Sequence, residues 1–141
     1  MNLLIVDDEY LVVEEVVTVT DWELLGITEI YSATNAVSAV RILNEKKIDI
    51  MICDIEMPQT DGLELSKKAK ENFPDLEIVM LTSHAEFNYV RNALRYGCYD
   101  YLLKPVMEDD IIKVMKNLVT KIERERHQAQ LQEEGIVWNQ L

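Results

Sequence analysis

Four short apolar runs in this chain each end on residues suited to metal or phosphoryl chemistry. Leu3-Leu4-Ile5-Val6 stops at Asp7-Asp8, Ile48 to Cys53 at Asp54, Glu77 to Leu81 at Thr82-Ser83, and Tyr99 to Leu103 at Lys104-Pro105. If each run is a buried parallel strand, the endings share one edge of a sheet and gather three carboxylates, a hydroxyl and an ammonium. Carboxylates crowded together raise one another's pKa unless a cation sits between them. Mg²⁺ suits such a site because it prefers hard oxygen ligands and tolerates few of them from protein. Zinc is disfavoured, since His84 and His127 are not spaced with any cysteine as a ligand set. A metal-oriented carboxylate can attack phosphorus to form an aspartyl phosphate, with Lys104 placed to offset charge on the phosphoryl oxygens.

Taken singly, each residue has an ordinary explanation. Asp7 and Asp8 suit the N-cap and first turn of a following helix, Thr82 a satisfied turn hydroxyl, and Lys104 a solvated surface charge. Their conjunction at the ends of four different runs is what points to a site.

The elements that must position these residues follow from periodicity. Besides the four runs, Glu29 to Ala33 reads as a weaker strand, and helical patterns cover Tyr10 to Val19, Ala36 to Lys46, Gly62 to Asn72, Phe87 to Tyr96 and Asp109 onward. Strand and helix alternate five times with connections too long for hairpins. This predicts an α/β fold, a doubly wound five-stranded parallel sheet covered by helices on both faces. Gly26, Gly97 and Phe73-Pro74-Asp75 supply stops, and Asn35, Ser83 and Glu108-Asp109 supply polar helix starts.

A chain of 141 residues, 48% hydrophobic and 28% charged, has the balance of one globular domain. Its net charge of −12, from 26 acidic and 14 basic residues, repels phosphate backbones and anionic membranes, which argues against DNA binding by this segment. No stretch approaches the roughly 18 apolar residues of a membrane span, and Met1-Asn2 lacks the basic start of a secretion signal, so a cytoplasmic location is expected. Cys53 and Cys98 show neither CxxC spacing nor a disulfide framework and read as small buried residues.

In the last helical pattern Ile111, Met115, Leu118 and Ile122 form one apolar stripe, after which the chain turns polar from Glu123 to Glu134. The core is expected to close near Val119. That divides the chain into a domain over residues 1–120 and a polar extension over 121–141, either a solvated tail or the opening of a linker helix.

These residues resemble the receiver domain of two-component response regulators. The resemblance rests on Ile5-Val6-Asp7-Asp8-Glu9, on Cys53-Asp54-Ile55-Glu56-Met57-Pro58 with Asp61-Gly62, on Met80-Leu81-Thr82-Ser83 and on Asp100-Tyr101-Leu102-Leu103-Lys104-Pro105, over about residues 2 to 120. It implies a flavodoxin-like (βα)5 fold with strand order 2-1-3-4-5, an order that comes from the family and not from the periodicity. It further implies that Asp54 accepts a phosphoryl group from a sensor histidine kinase, and that Asp7, Asp8, Asp54 and the backbone carbonyl of Glu56 surround Mg²⁺. Lys104 would pair with the phosphoryl group, Thr82 would swing toward it, and Tyr101 would rotate into the vacated space. The family also implies a cis bond before Pro105.

Asp21-Trp22-Glu23-Leu24-Leu25-Gly26-Ile27, Ala85-Glu86-Phe87 and Ala93-Leu94-Arg95-Tyr96-Gly97 are similar to the YesN-like subgroup, whose receivers are joined to an AraC-type helix-turn-helix DNA-binding domain. By that resemblance these residues form the N-terminal part of a longer transcriptional regulator. Any contact with DNA would run through a C-terminal domain lying outside them. A homodimer through the fourth helix, fifth strand and fifth helix is a family expectation, although the Ile111 to Ile122 stripe is equally suited to the domain's own core. Glu56 and His84, each two residues beyond a pocket residue, would flank the path of an attacking water and tune phosphoryl lifetime. Glu56 departs from the basic residue of the subgroup.

Three other readings compete. A haloacid dehalogenase-like phosphatase also works through an aspartyl phosphate, but it wants an aspartate where this chain has Glu56, and room for a cap that Glu56 to Gly62 does not leave. A receiver controlled only by protein contacts would not need so complete a pocket. A flavodoxin-like flavin site needs a hydroxyl- and glycine-rich loop after the first strand, where this chain has carboxylates.

Overall fold

The computed structural model describes residues 1–58, 60–83 and 87–135, with only the backbone described at 60 and 87–90. Five parallel strands form the central sheet: β1 (Asn2–Val6), β2 (Glu29–Ala33), β3 (Ile50–Asp54), β4 (Glu77–Thr82) and β5 (Asp100–Leu103). Their spatial order is β2-β1-β3-β4-β5, the doubly wound order that the resemblance implied. The helices between them are α1 (Tyr10–Thr18), α2 (Ala36–Glu45), α3 (Gly62–Asn72), α4 (Phe87–Arg95) and α5 (Glu108–Glu133).

The near-continuous apolar runs are explained by burial on both faces of the sheet. Leu3, Ile5, Ile50, Ile52, Val79 and Leu81 pack toward α1 and α5, where Val13, Val16, Met115 and Leu118 meet them. The alternate residues Leu4, Val6, Met51, Cys53, Ile78 and Met80 pack toward α2 and α3 against Leu43, Leu63 and Leu65. Period-two alternation thus builds two cores, one on each face.

The strands stop together because their successors are polar, and after β2 and β3 the following helices are also capped. Asn35 Oδ1 accepts the Ser38 amide at 2.8 Å and starts α2, and Asp61 Oδ1 accepts the Leu63 amide at 2.9 Å and starts α3. Gly97 closes the α4 turn at φ +90°. Gly26 takes the same conformation, but it ends a short 3-10 turn, Trp22–Leu25, that periodicity did not reveal. Trp22 anchors that turn by donating its indole N–H to the Val16 carbonyl at 3.1 Å.

Several sequence expectations shift. Strand β3 runs Ile50–Asp54, so Asp54 occupies the last rung, opposite Leu81, while Asp49 turns its carboxylate out of the ladder toward the Asn2 amide. The Glu108-Asp109 cap gives way to Met107, which has no capping side chain. Glu108, Asp109 and Asp110 instead fill the first turn of α5, where they complement the helix dipole. The Ser83 cap is not tested, because residues 84–86 lie outside the described residues. The core extends past Val119 to Ile122, one turn further than expected, because α5 continues across the edge of the sheet. The Ile111, Met115, Leu118 and Ile122 stripe is buried in the domain's own core. Among the described residues no helix is long and apolar enough to cross a membrane.

Candidate metal and phosphoryl site

The sheet edge at the strand ends brings together the residues that the sequence singled out. Asp7 follows Val6, the residue that pairs with Ala33 on one side and Cys53 on the other, so its side chain emerges between β2 and β3. It is fully buried, and its Oδ1 accepts the Glu9 amide at 2.9 Å, which fixes the turn into α1. Neither Asp7 nor Asp8 caps that helix, whose N-cap is Glu9. The capping explanation therefore fails, and the acids face the pocket.

Asp7 Oδ2 lies 2.7 Å from Lys104 Nζ, and Asp54 Oδ1 lies 3.2 Å from the same ammonium. The Asp7 contact is an ion pair without hydrogen-bond alignment, so the buried Oδ2 has no directed donor. Asp8 is half-buried beside them, and one carboxylate oxygen from each of Asp7, Asp8 and Asp54 lies within 4.8 Å of the others. Three carboxylates gathered around a single ammonium leave negative charge uncompensated, and such a set of oxygen donors fits a hard divalent cation such as Mg²⁺.

Burial, and then the charge of Asp7, push the Asp54 carboxyl up to about 6, against the pull of Lys104 and the Glu56 amide. Burial works against the Lys104 ammonium, but the Asp7 and Asp54 carboxylates outweigh it and hold its pKa above that of an ordinary lysine. The pocket therefore contains a firmly protonated cation and, at Asp54, a carboxylate whose anionic form lacks adequate compensation.

Lys104 reaches this place because its amide donates to the Thr82 carbonyl at 2.8 Å and carries the β4–β5 pairing one residue beyond the strand. The Lys104–Pro105 bond is cis, as the resemblance implied. Thr82 is buried at the pocket, while Tyr101 points outward from β5 and is 36% exposed. Glu56 is exposed at the rim. Asp8, Glu9, Asp54, Glu56, Thr82 and Lys104 all line one cavity of about 340 Å³. His84 lies outside the described residues.

Gly62 is a structural requirement of the site whose reason was not visible in sequence. After Asp54 the chain makes a small antiparallel ladder, Glu56–Met57 with Thr60–Asp61, and returns so closely that a Cβ on Gly62 would lie 1.8 Å from the Asp54 carbonyl oxygen. The Gly62 amide donates to the Ile55 carbonyl at 2.8 Å. The only sequence signal was the Asp61-Gly62 pair itself.

Burial raises the Cys98 thiol to about 11 and the Cys53 thiol higher still, so both stay protonated and unreactive at neutral pH, as the sequence suggested.

Comparison with known proteins agrees with this geometry. Residues 3–116 match the family model described as the response regulator receiver domain. An uncharacterized transcriptional regulatory protein, YesN, of Bacillus subtilis is 34% identical over 124 residues, which cover 88% of this chain and 34% of that protein. The response regulator SaeR of Staphylococcus aureus is 32% identical over 127 residues, covering 90% of this chain and 54% of the relative. The chain thus spans about a third to a half of the length of these relatives. Among solved structures, the receiver domain of AraT, a response regulator from Geobacillus stearothermophilus, superposes with a TM-score of 0.82 at 30% identity, covering 89% of this chain and 97% of the other.

Proposed function

The chain belongs to the response regulator receiver domain family, and from that premise we propose that Asp54 is the phosphoryl acceptor of a switch controlling a transcriptional output domain. The observation that supports this reading best is the joint approach of Asp7 and Asp54 to Lys104 within a cluster of three acids. In the step proposed, an Asp54 oxygen attacks the phosphorus of a phosphohistidine on a sensor kinase. The P–N bond breaks, and the imidazole leaves with the bonding electrons and takes up a proton. Asp7, Asp8, Asp54 and the Glu56 carbonyl would hold Mg²⁺, which when bound offsets charge on the transferring phosphoryl oxygens. Lys104 supplies the fixed ammonium on the other side, and Asp7 holds it in place. The same groups would assist hydrolysis of the acyl phosphate, with Glu56, which is exposed, and His84, by its place in the sequence, at the water's approach.

Thr82 would answer the new charge by turning toward it, and Tyr101, outward-facing here, would follow inward. That movement changes a surface on α4, β5 and α5 where Leu94, Leu103 and Met107 are exposed. The exposed Leu94, Leu103 and Met107 would serve a phosphorylation-dependent homodimer. The α5 stripe does not supply it, being committed to the core. The polar region over residues 121–141 is proposed as the start of a linker to an AraC-type DNA-binding domain. Among the described residues the ladder from Glu56 to Asp61 returns directly onto Asp54 at Gly62, which leaves little room for the cap that the phosphatase reading wants.

Incubation with acetyl phosphate and Mg²⁺ tests the proposal. The intact mass should rise by one phosphoryl group in the wild type and stay unchanged in Asp54→Ala. Labelling that survives that substitution refutes the assignment.

A further inference from the structure

A second pair of buried acids lies at the opposite edge of the sheet, where the strands begin. Asp49, just ahead of β3, is 6% exposed, and Glu77, the first residue of β4, is 7% exposed. Carboxylates so far removed from water are costly unless paired with cations and hydrogen-bond donors.

Both acids are paired to α5. Lys121 Nζ lies 3.0 Å from Glu77 Oε1, and the Arg126 guanidinium bonds Asp49 Oδ1. Each acid is also tied to the body of the domain. The Asn2 amide donates to Asp49 Oδ2 at 2.7 Å, and Lys70 Nζ, itself bonded to the Leu76 carbonyl at 2.7 Å, lies 3.5 Å from Glu77 Oε1. Lys121 is held further by Glu125 at 3.1 Å and by the Tyr99 ring at 6.0 Å. Each carboxylate therefore bridges the sheet edge and the second half of α5.

The apolar stripe of α5 gives out at Ile122, yet the helix runs on to Glu133. Beyond Ile122 the helix is propagated from core-held turns without apolar burial of its own, so it can fray from its free end. Contacts to the sheet edge limit that fraying.

We propose that Asp49 and Glu77 form a clasp that holds the second half of α5 against the starting edge of the sheet and fixes the direction in which this helix leaves the domain. The clasped helix forms one wall of a groove of about 680 Å³, through Arg126 and Ala129, opposite Leu43 and Phe73. The clasp lies at the far edge of the sheet from Asp54 and uses none of the residues of that pocket. It therefore stands or falls separately from the proposed phosphoryl chemistry.

Hydrogen exchange of the 141-residue chain, followed by mass spectrometry, tests the clasp. In the wild type, amides over 124–133 should be protected. Arg126→Gln and Asp49→Asn should each speed their exchange by about tenfold, and the double variant should be no faster than the single ones. Lys121→Met should loosen the same segment through Glu77. Arg126 is at the surface, so Arg126→Gln should leave the exchange of β1 and β3 unchanged, which separates loss of the clasp from loss of the fold. The clasp is refuted if Arg126→Gln and Lys121→Met exchange at the wild-type rate, if the Asp49 and Arg126 effects simply add, or if the wild type is unprotected beyond Ile122.

Discussion

The Lys104 ammonium stands 3.2 Å from Asp54 Oδ1 although the two residues end strands that are not neighbours, β4 lying between β3 and β5. The pairing registers set that spacing: Asp54 opposes Leu81, and the Lys104 amide bonds the Thr82 carbonyl. The backbone ladder, and not a loop, brings the cation to Asp54.

Removing that cation should separate metal binding from phosphoryl transfer. In Lys104→Ala the acid cluster loses a competing positive charge, so Mg²⁺ should bind at least as tightly by calorimetry. Phosphorylation by acetyl phosphate should nevertheless slow by about 10²-fold, since a fixed charge aimed at the transferring group is lost. Equal losses of both properties would contradict separate roles for lysine and metal.

The raised Asp54 carboxyl predicts a pH-dependent penalty on the metal-free fold. Its pKa moves up from 3.8 to about 6 on folding, so ionisation opposes folding. The penalty is absent below the unfolded value and fully present above the folded one. With a chelator present, Asp54→Asn should therefore stabilise the protein by about 1–2 kcal/mol at pH 7.5, a figure reduced from the full shift for solvent screening of the pocket. That gain should fade as the pH falls from 6 toward 4. Mg²⁺ should narrow that gap, stabilising the wild type by about 1.4 kcal/mol at ten times its Kd and the variant by less. Urea unfolding across pH measures both effects.

Thr82 and Tyr101 should govern the response rather than the chemistry. Thr82→Ala is expected to accept phosphate with a rate within about fivefold of wild type, a small effect beside the loss of an aimed charge. It should lose the phosphorylation-induced change in hydrogen exchange over residues 99–107, as should Tyr101→Ala, whose side chain is 36% exposed before activation. A wild-type exchange response in Thr82→Ala would remove that residue from the switch.

Gly62 should tolerate no side chain. Its missing Cβ would meet the Asp54 carbonyl oxygen at 1.8 Å, so Gly62→Ala must push the backbone of the acceptor aside. A cost of about 3 kcal/mol or more and weakened Mg²⁺ binding are expected, measured by thermal unfolding and calorimetry. A substitution harmless to both would show that the return of the chain is not tight.

Much of this architecture was legible in sequence because strands buried on both faces leave continuous apolar runs, and the polar residues that stop them mark one edge. Asp7, Asp54, Thr82 and Lys104 were readable for that reason. Strand order was not, since periodicity is silent about which runs are neighbours. The turn at Trp22–Leu25 was hidden because so short an element shows no period, and the close approach at Gly62 because it depends on chain reversal after Asp54. Asp49 fell inside one apolar run and Glu77 opened another, and periodicity singled out neither. Only α5 crossing the sheet edge reveals them as buried and paired.

Chemical trapping of the acyl phosphate tests the central claim most directly. After reaction with acetyl phosphate and Mg²⁺, borohydride reduces a phosphorylated aspartate to homoserine, which peptide sequencing by mass spectrometry can locate. Homoserine should be found at position 54, and its formation should be abolished by a chelator. Homoserine at position 7 or 8, or none at position 54 when Mg²⁺ is present, would contradict the account.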